Sequence, residues 1–268
     1  MKRIAWLTDL HLNFLTAEEL QAFMGSLADA RADGVLVSGD VAESRDVVSF
    51  LKQLADAAGT TVYFVLGNHD YYFSSIREVR AQVVELCRQD SRLVWLNEAG
   101  VVELTRRVGL IGHDGWADAR LGDYVRSHVM MNDYVLIEEF AGVDKERRWP
   151  LLKAQADEAA AAIRQTLPQA LQNFPRVVFV THVPPFRDAC WHEGRISDDE
   201  WLPHFTSRAM GDALLDIMRH YPRRELTVLC GHTHGQGEVT LGEYENIHVL
   251  TGGAEYGAPE IQRIFEFN

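Results

Sequence analysis

The sequence predicts an α/β fold built around a parallel sheet. Two observations carry this. The first third alternates short apolar runs with helical periodicity as β-α-β-α-β-α, the signature of parallel strands joined by crossover helices. In addition, five apolar runs along the chain each end in Asp, Asn or His, at the carboxyl ends where open α/β sheets place their chemistry.

Taken in order, Ile4 to Thr8 is an apolar run and the first strand. Thr16 with Glu19 forms a capping box, after which Leu20, Phe23, Met24 and Leu27 recur at helical spacing. Val35 to Val37 is a second strand, running into Ser38-Gly39-Asp40. A helix follows through Val47, Val48, Leu51 and Leu54, stopping near Gly59. Val62 to Leu66 reads as a strand buried on both faces, ending in Gly67-Asn68-His69-Asp70, and a helix covers Ile76 to Cys87. Short β-rich pieces follow at 93–96, 101–104 and 108–111. Residues 112–150 are irregular and end at Trp149-Pro150, and an Ala-rich helix then covers 151–167. Val177 to Val180 is a strand entering Thr181-His182. An irregular insert carries Trp191, His192, Trp201 and His204. A helix at 213–219 leads to the strand 226–229, which enters Cys230-Gly231-His232-Thr233-His234. With no repeat or flexible linker, the expectation is one domain over 1–268, with irregular inserts near 112–150 and 184–206 over the active site.

Composition narrows the function classes. The hydrophobic and charged fractions, 47% and 24%, are those of an ordinary globular protein. A formal net charge of −13 disfavours adhesion to nucleic acid or an anionic membrane. It still permits a nucleic-acid substrate, because bound cations invert the charge locally. Three cysteines, Cys87, Cys190 and Cys230, lack metal-ligand or disulfide spacing. The basic start at Met1-Lys2-Arg3 is cut off by Asp9 before a signal sequence could form, and no apolar run is long enough to span a membrane. The expected location is the cytoplasm.

Each strand-end set has an ordinary explanation when taken alone. Asp9-x-His11 is near what chance supplies with eleven histidines, and Gly39-Asp40 or Gly67-Asn68-His69-Asp70 suits a polar turn. His182 alone reads as a hydrogen-bonded structural histidine. Two histidines flanking one residue at a strand end, His232 and His234, are harder to explain without a metal. Side chains two apart on an extended backbone point the same way, so Asp9 with His11 and His232 with His234 can each serve one place. The joint occurrence of all five sets, in order and each at a strand terminus, decides for a metal site.

This series resembles the calcineurin-like metallophosphoesterases, with all five blocks present from Asp9 to His234. The resemblance implies a four-layer α/β/β/α sandwich with a dinuclear metal site at the carboxyl ends of the strands. By motif position, Asp9, His11, Asp40 and His234 would hold one cation. Asp40, Asn68, His182 and His232 would hold the other, with Asp40 bridging. Imidazole and oxygen donors without thiolates suit Mn above all, or Fe, Zn, Ni or Co. The activity implied is hydrolysis of a phosphate monoester or diester, on a phosphorylated small molecule or nucleotide, by in-line attack of metal-bridging hydroxide. The alternative is a non-catalytic metal-binding scaffold of the same fold.

His69 takes the position that in the family contacts substrate, alongside Asn68, and protonates the leaving group. Glu43 stands where relatives keep an acidic partner for that histidine; it either orients the His69 ring or is a solvated helix-start carboxylate. Asp70 anchors the turn. His113, in Gly112-His113-Asp114-Gly115, follows another strand and is either a substrate contact or a turn histidine. Arg126, Arg187 and Arg195 form a pool of cations on the two inserts.

Overall fold

The structure is a computed structural model that describes all of residues 1–268. The first layers follow the expected alternation: β1 (Lys2–Leu7), α1 (Ala17–Asp29), β2 (Gly34–Ser38), α2 (Val47–Ala58), β3 (Val62–Val65), α3 (Ile76–Gln89) and β4 (Leu93–Trp95). A helical turn, α4 (Leu96–Ala99), leads to β5 (Val102–Thr105) and β6 (Val108–Gly112). The insert that follows contains α5 (Asp133–Leu136), then α6 (Lys145–Asn173) and β7 (Arg176–Val180). A second insert holds the hairpin β8 (Trp191–His192) and β9 (Arg195–Ile196), then α7 (Leu202–Phe205). The chain finishes with α8 (Arg208–Met218), β10 (Glu225–Cys230), β11 (Gly237–Leu241), β12 (Tyr244–Thr251) and β13 (Arg263–Phe267).

Local chemistry sets these boundaries. Thr16 accepts from Glu19 N–H while the Glu19 carboxylate accepts from Thr16 N–H, so the capping box opens α1. Gly59 closes α2 at φ 62°, a left-handed value that a Cβ disfavours. The expected start of the Ala-rich helix at residue 151 is corrected. Asp144 caps α6 by accepting from Arg147 N–H, and the helix runs through both Pro150 and Pro168. Each proline withholds one backbone donor, but neither ends the helix.

Two sheets stack face to face. One has the order β13-β1-β2-β3-β4, parallel except at β13. The other has the order β11-β12-β10-β7-β6-β5, with β12, β10, β7 and β6 parallel. Strand alternation divides the core into three. Ile4, Trp6, Leu36, Tyr63 and Val65 meet Leu110, Val178, Val180, Leu229 and Leu250 between the sheets. Leu7, Val35, Val37 and Phe64 face the other way, onto Phe23, Leu51, Leu54 and Val83 of α1, α2 and α3. Val177, Phe179, Val228 and Val249 pack on Ile163, Leu167, Met210 and Leu214 of α6 and α8. This is the expected four-layer α/β/β/α sandwich. The carboxyl ends of β1, β2, β3, β7 and β10 open toward one edge.

Candidate metal centre

At that edge the backbone leaves extended geometry. Asp9, His11, Asp40, His232 and His234 all have positive φ, between 44° and 73°. Left-handed backbone costs a non-glycine residue roughly 1–2 kcal/mol, and such strain clusters where function demands a geometry. The expectation that Asp9 and His11 share a direction holds, but through left-handed turns rather than strand alternation. Glycines make room for this packing. A Cβ on Gly67 would collide with the Asp40 carboxylate, and one on Gly231 with the Asp9 carboxylate and the Thr8 hydroxyl.

The donors gather in two sets. Ligand atoms of Asp9, His11, Asp40 and His234 lie within 4.8 Å of one another. His11 Nε2 faces His234 Nε2 at 3.1 Å, and His234 Nε2 is 3.6 Å from Asp9 Oδ1. Asp9 is held by its neighbours: Thr8 Oγ1–H donates to it at 2.6 Å, and His232 N–H donates at 3.0 Å. In the second set, Asn68 Oδ1 lies 3.0 Å from His182 Nε2 and 2.9 Å from His232 Nδ1, and His182 Nε2 is 3.4 Å from Asp40 Oδ2. Asp40 therefore touches both sets, since its Oδ2 is also 3.8 Å from His11 Nε2.

Proton bookkeeping shows what this arrangement requires. His182 Nδ1 donates to Ser38 O at 2.9 Å, and His232 Nε2 donates to His204 O at 3.0 Å. A carbonyl only accepts, so both outer nitrogens carry a ring proton, and in the neutral rings both inner nitrogens present lone pairs. Those lone pairs point at the Asn68 oxygen and the Asp40 carboxylate. Acceptors facing acceptors in a buried site need positive charge between them, a proton or a metal cation, and the donor set suits a divalent metal. Burial holds the His11 and His232 imidazoles down at about 3, in the neutral form that ligates. For His182, burial also pushes downward, but Asp40, Asp9 and the Ser38 carbonyl together outweigh it and lift the ring to about 10. The field at that nitrogen favours positive charge.

The Asn68 side chain is oriented by a residue that carries no sequence signal. Its Nδ2–H donates to Asp133 Oδ1 at 2.8 Å, and Tyr72 O–H donates to the same oxygen at 2.7 Å. Asp133 sits on α5, buried, 65 residues away from Asn68. With the amide nitrogen committed there, the amide oxygen must face the site. Asp70 anchors its turn as expected, accepting from Ala42 N–H and Gly67 N–H.

The remaining expected residues divide. His69 stands at the mouth: its backbone N–H donates to Asp40 Oδ1 at 2.8 Å, its ring is 4.6 Å from that of His11, and its Nδ1 is buried without a partner. Glu43 lines a cleft with His69 but makes no hydrogen bond to it, so the expected orienting contact is not formed. His113 is not brought to the cleft. It is 4% exposed, and its Nδ1 accepts from Gly115 N–H inside the turn. Neighbouring Asp114 explains that turn, accepting from Leu66 N–H, Tyr71 O–H and Trp95 Nε1–H. The arginine pool also lies elsewhere: Arg187 pairs with Asp199 at 2.7 Å, Arg126 is solvated, and none of the three lines the site. The two inserts do wall the site, through Met130, Met131 and Asn132 on one side and His192, Trp201 and Phe205 on the other. Tyr256, from the loop after β12, covers His11 and His234 at 4.6 and 5.1 Å between rings.

The family model for calcineurin-like phosphoesterases matches residues 2–236. The chain belongs to that family. Family membership makes it a metal-dependent phosphoesterase in general terms, and the Asp/His cluster is a donor group of the kind that can hold a metal ion. No curated protein sequence matches it. Among solved structures it is similar to a phosphopantetheinyl hydrolase from Mycobacterium tuberculosis, with a TM-score of 0.67 at 16% identity over 95% of this chain and 89% of that one. It is also similar to a dimetal phosphatase from Danio rerio, with a TM-score of 0.59 at 14% identity over 96% and 89%. These likenesses extend the fold over nearly the whole chain.

Proposed function

We propose that this protein hydrolyses a phosphate ester by in-line displacement at a two-cation centre. Asp9, His11, Asp40 and His234 would hold one cation. Asp40, Asn68, His182 and His232 would hold the second, with Asp40 shared. The observation that carries the reading is the convergence of buried lone pairs on two adjacent points with one carboxylate reaching both. When bound, such a pair lowers the pKa of water toward roughly 7 and neutralises charge on the phosphoryl oxygens.

The chain's own residues do the rest. Asp133 and Tyr72 fix the Asn68 amide, while Ser38 and His204 carbonyls fix the two imidazoles. His69, at the mouth beside Asp40, is placed to give a proton to the departing alcohol oxygen, a contribution of about 10²–10⁴-fold. Glu43 shares its cleft without bonding the ring. Trp201, Phe205 and Tyr256 form the wall beside the phosphoryl position. The test is a chromogenic phosphodiester assay on protein stripped with EDTA and reloaded with Mn, Fe, Zn, Ni or Co. Activity should return only with cations and vanish in Asp40→Asn. Hydrolysis by the stripped protein, or undiminished hydrolysis by Asp40→Asn, would refute the reading.

A further inference from the structure

Two clefts meet at His69. One, of about 280 Å³, is floored by Asp40, Asn68, His232 and His234 and walled by Trp201 and Phe205. The other, of about 450 Å³, runs past Phe14, Glu43 and Leu136. His69, Tyr72, Asn132 and Tyr256 line both. A phosphoryl group on the metal ligands therefore has organic space on two sides rather than one. A monoester has a single arm and would fill only one of them.

The lining defines the arms chemically. Neither cleft contains a lysine or arginine, and the second contains Glu43. Trp201 and Phe205 stack at 5.1 Å between ring centroids, with His192 at 5.3 Å from Trp201, a face suited to a planar group. At the rim, Phe14, Met130 and Tyr256 are 52%, 67% and 51% exposed, apolar surface that an apolar arm would cover. Charge points the same way. A further phosphate on either arm would add a charge of about −1.5 to −2 at neutral pH, and neither cleft has a lysine or arginine to meet it.

Resting on the phosphoesterase reading above, we infer that the preferred substrate is a phosphodiester whose two arms carry no further phosphate, one of them planar and aromatic and lying against Trp201 and Phe205. Water oxygen bonds to phosphorus, the bond to one alcohol oxygen breaks, and that oxygen takes up a proton. The products are an alcohol and a phosphate monoester.

The test compares bis(p-nitrophenyl) phosphate with p-nitrophenyl phosphate on the Mn-loaded protein. The diester should show kcat/KM at least about tenfold higher. Trp201→Ala should raise KM for the diester about tenfold, as expected for losing one aromatic contact, and by much less for the monoester, whose single arm can take the other cleft. Tyr256→Ala, at a half-exposed site where the fold is safe, should shift the same ratio in the same direction. Equal or better use of the monoester, or a ratio unmoved by both variants, would overturn the inference and leave the phosphoesterase reading standing. Cleavage of neither ester by protein shown to hold two cations would sink both.

Discussion

Asp133 gives the sharpest test of how the second set of ligands is held. Its carboxylate accepts from Asn68 Nδ2–H at 2.8 Å and Tyr72 O–H at 2.7 Å, and it is 5% exposed. In Asp133→Leu the Asn68 nitrogen loses its acceptor. Flipping the amide would then aim N–H groups at His182 Nε2 and His232 Nδ1, now 3.0 and 2.9 Å from Asn68 Oδ1. His232, held neutral by burial, presents a lone pair at Nδ1, so the flipped amide finds an acceptor and the second cation loses its oxygen ligand. The bond to the carboxylate that opposes the flip is worth about 1.5–3 kcal/mol. That corresponds to about 10–150-fold in affinity, in line with the 10–100-fold usual for an outer-shell partner. Titration calorimetry with Mn should show one of two affinities lowered by about that factor and the other within about threefold. Asp133→Asn keeps a neutral acceptor and should fall between wild type and Asp133→Leu. Two unchanged affinities in Asp133→Leu would refute this account of Asn68.

Three further outcomes are expected. His69→Asn should lower kcat by about 10²–10⁴-fold for an alkyl leaving group. It should lower it far less for p-nitrophenolate, which departs without a proton; paired assays at equal metal content decide this. Gly67→Ala would drive a Cβ into the Asp40 carboxylate, costing about 1–3 kcal/mol by overpacking and weakening binding of both cations, measured by urea unfolding and by metal content after dialysis. His204 is held at about 3 by burial, helped by the nearby charges of Lys145 and Arg148, against an ordinary 6.5. The unfolded chain therefore binds the proton more readily, and its contribution is full above pH 6.5 and lost as pH falls toward 3. That amounts to as much as about 1.4 kcal/mol per pH unit. Unfolding free energy should drop between pH 7 and 5, less steeply in His204→Gln; equal slopes would contradict this.

The fold and the gathering of the candidate donors were largely legible in the sequence because both are written locally. An apolar run ending in Asp, Asn or His marks a strand and its cargo together, and the five sets converge as parallel topology requires. The capping box at Thr16 and the stop at Gly59 are likewise local signals. What escaped depends on tertiary contact. Asp133 acts on Asn68 across 65 residues with no motif around it, and Tyr256 reaches His11 from a loop past the last motif. His113 shows the converse failure: it ends a strand like the others, but its side chain turns into the protein and bonds its own loop. Pro150 was misleading as a helix boundary because Asp144 had already nucleated α6 ahead of it.

Diffraction at the manganese edge from Mn-soaked crystals tests the central claim directly. Two anomalous peaks about 3.5–4 Å apart should appear, one among Asp9, His11, Asp40 and His234 and the other among Asp40, Asn68, His182 and His232. A single peak, or peaks that leave Asp40 out, would contradict it.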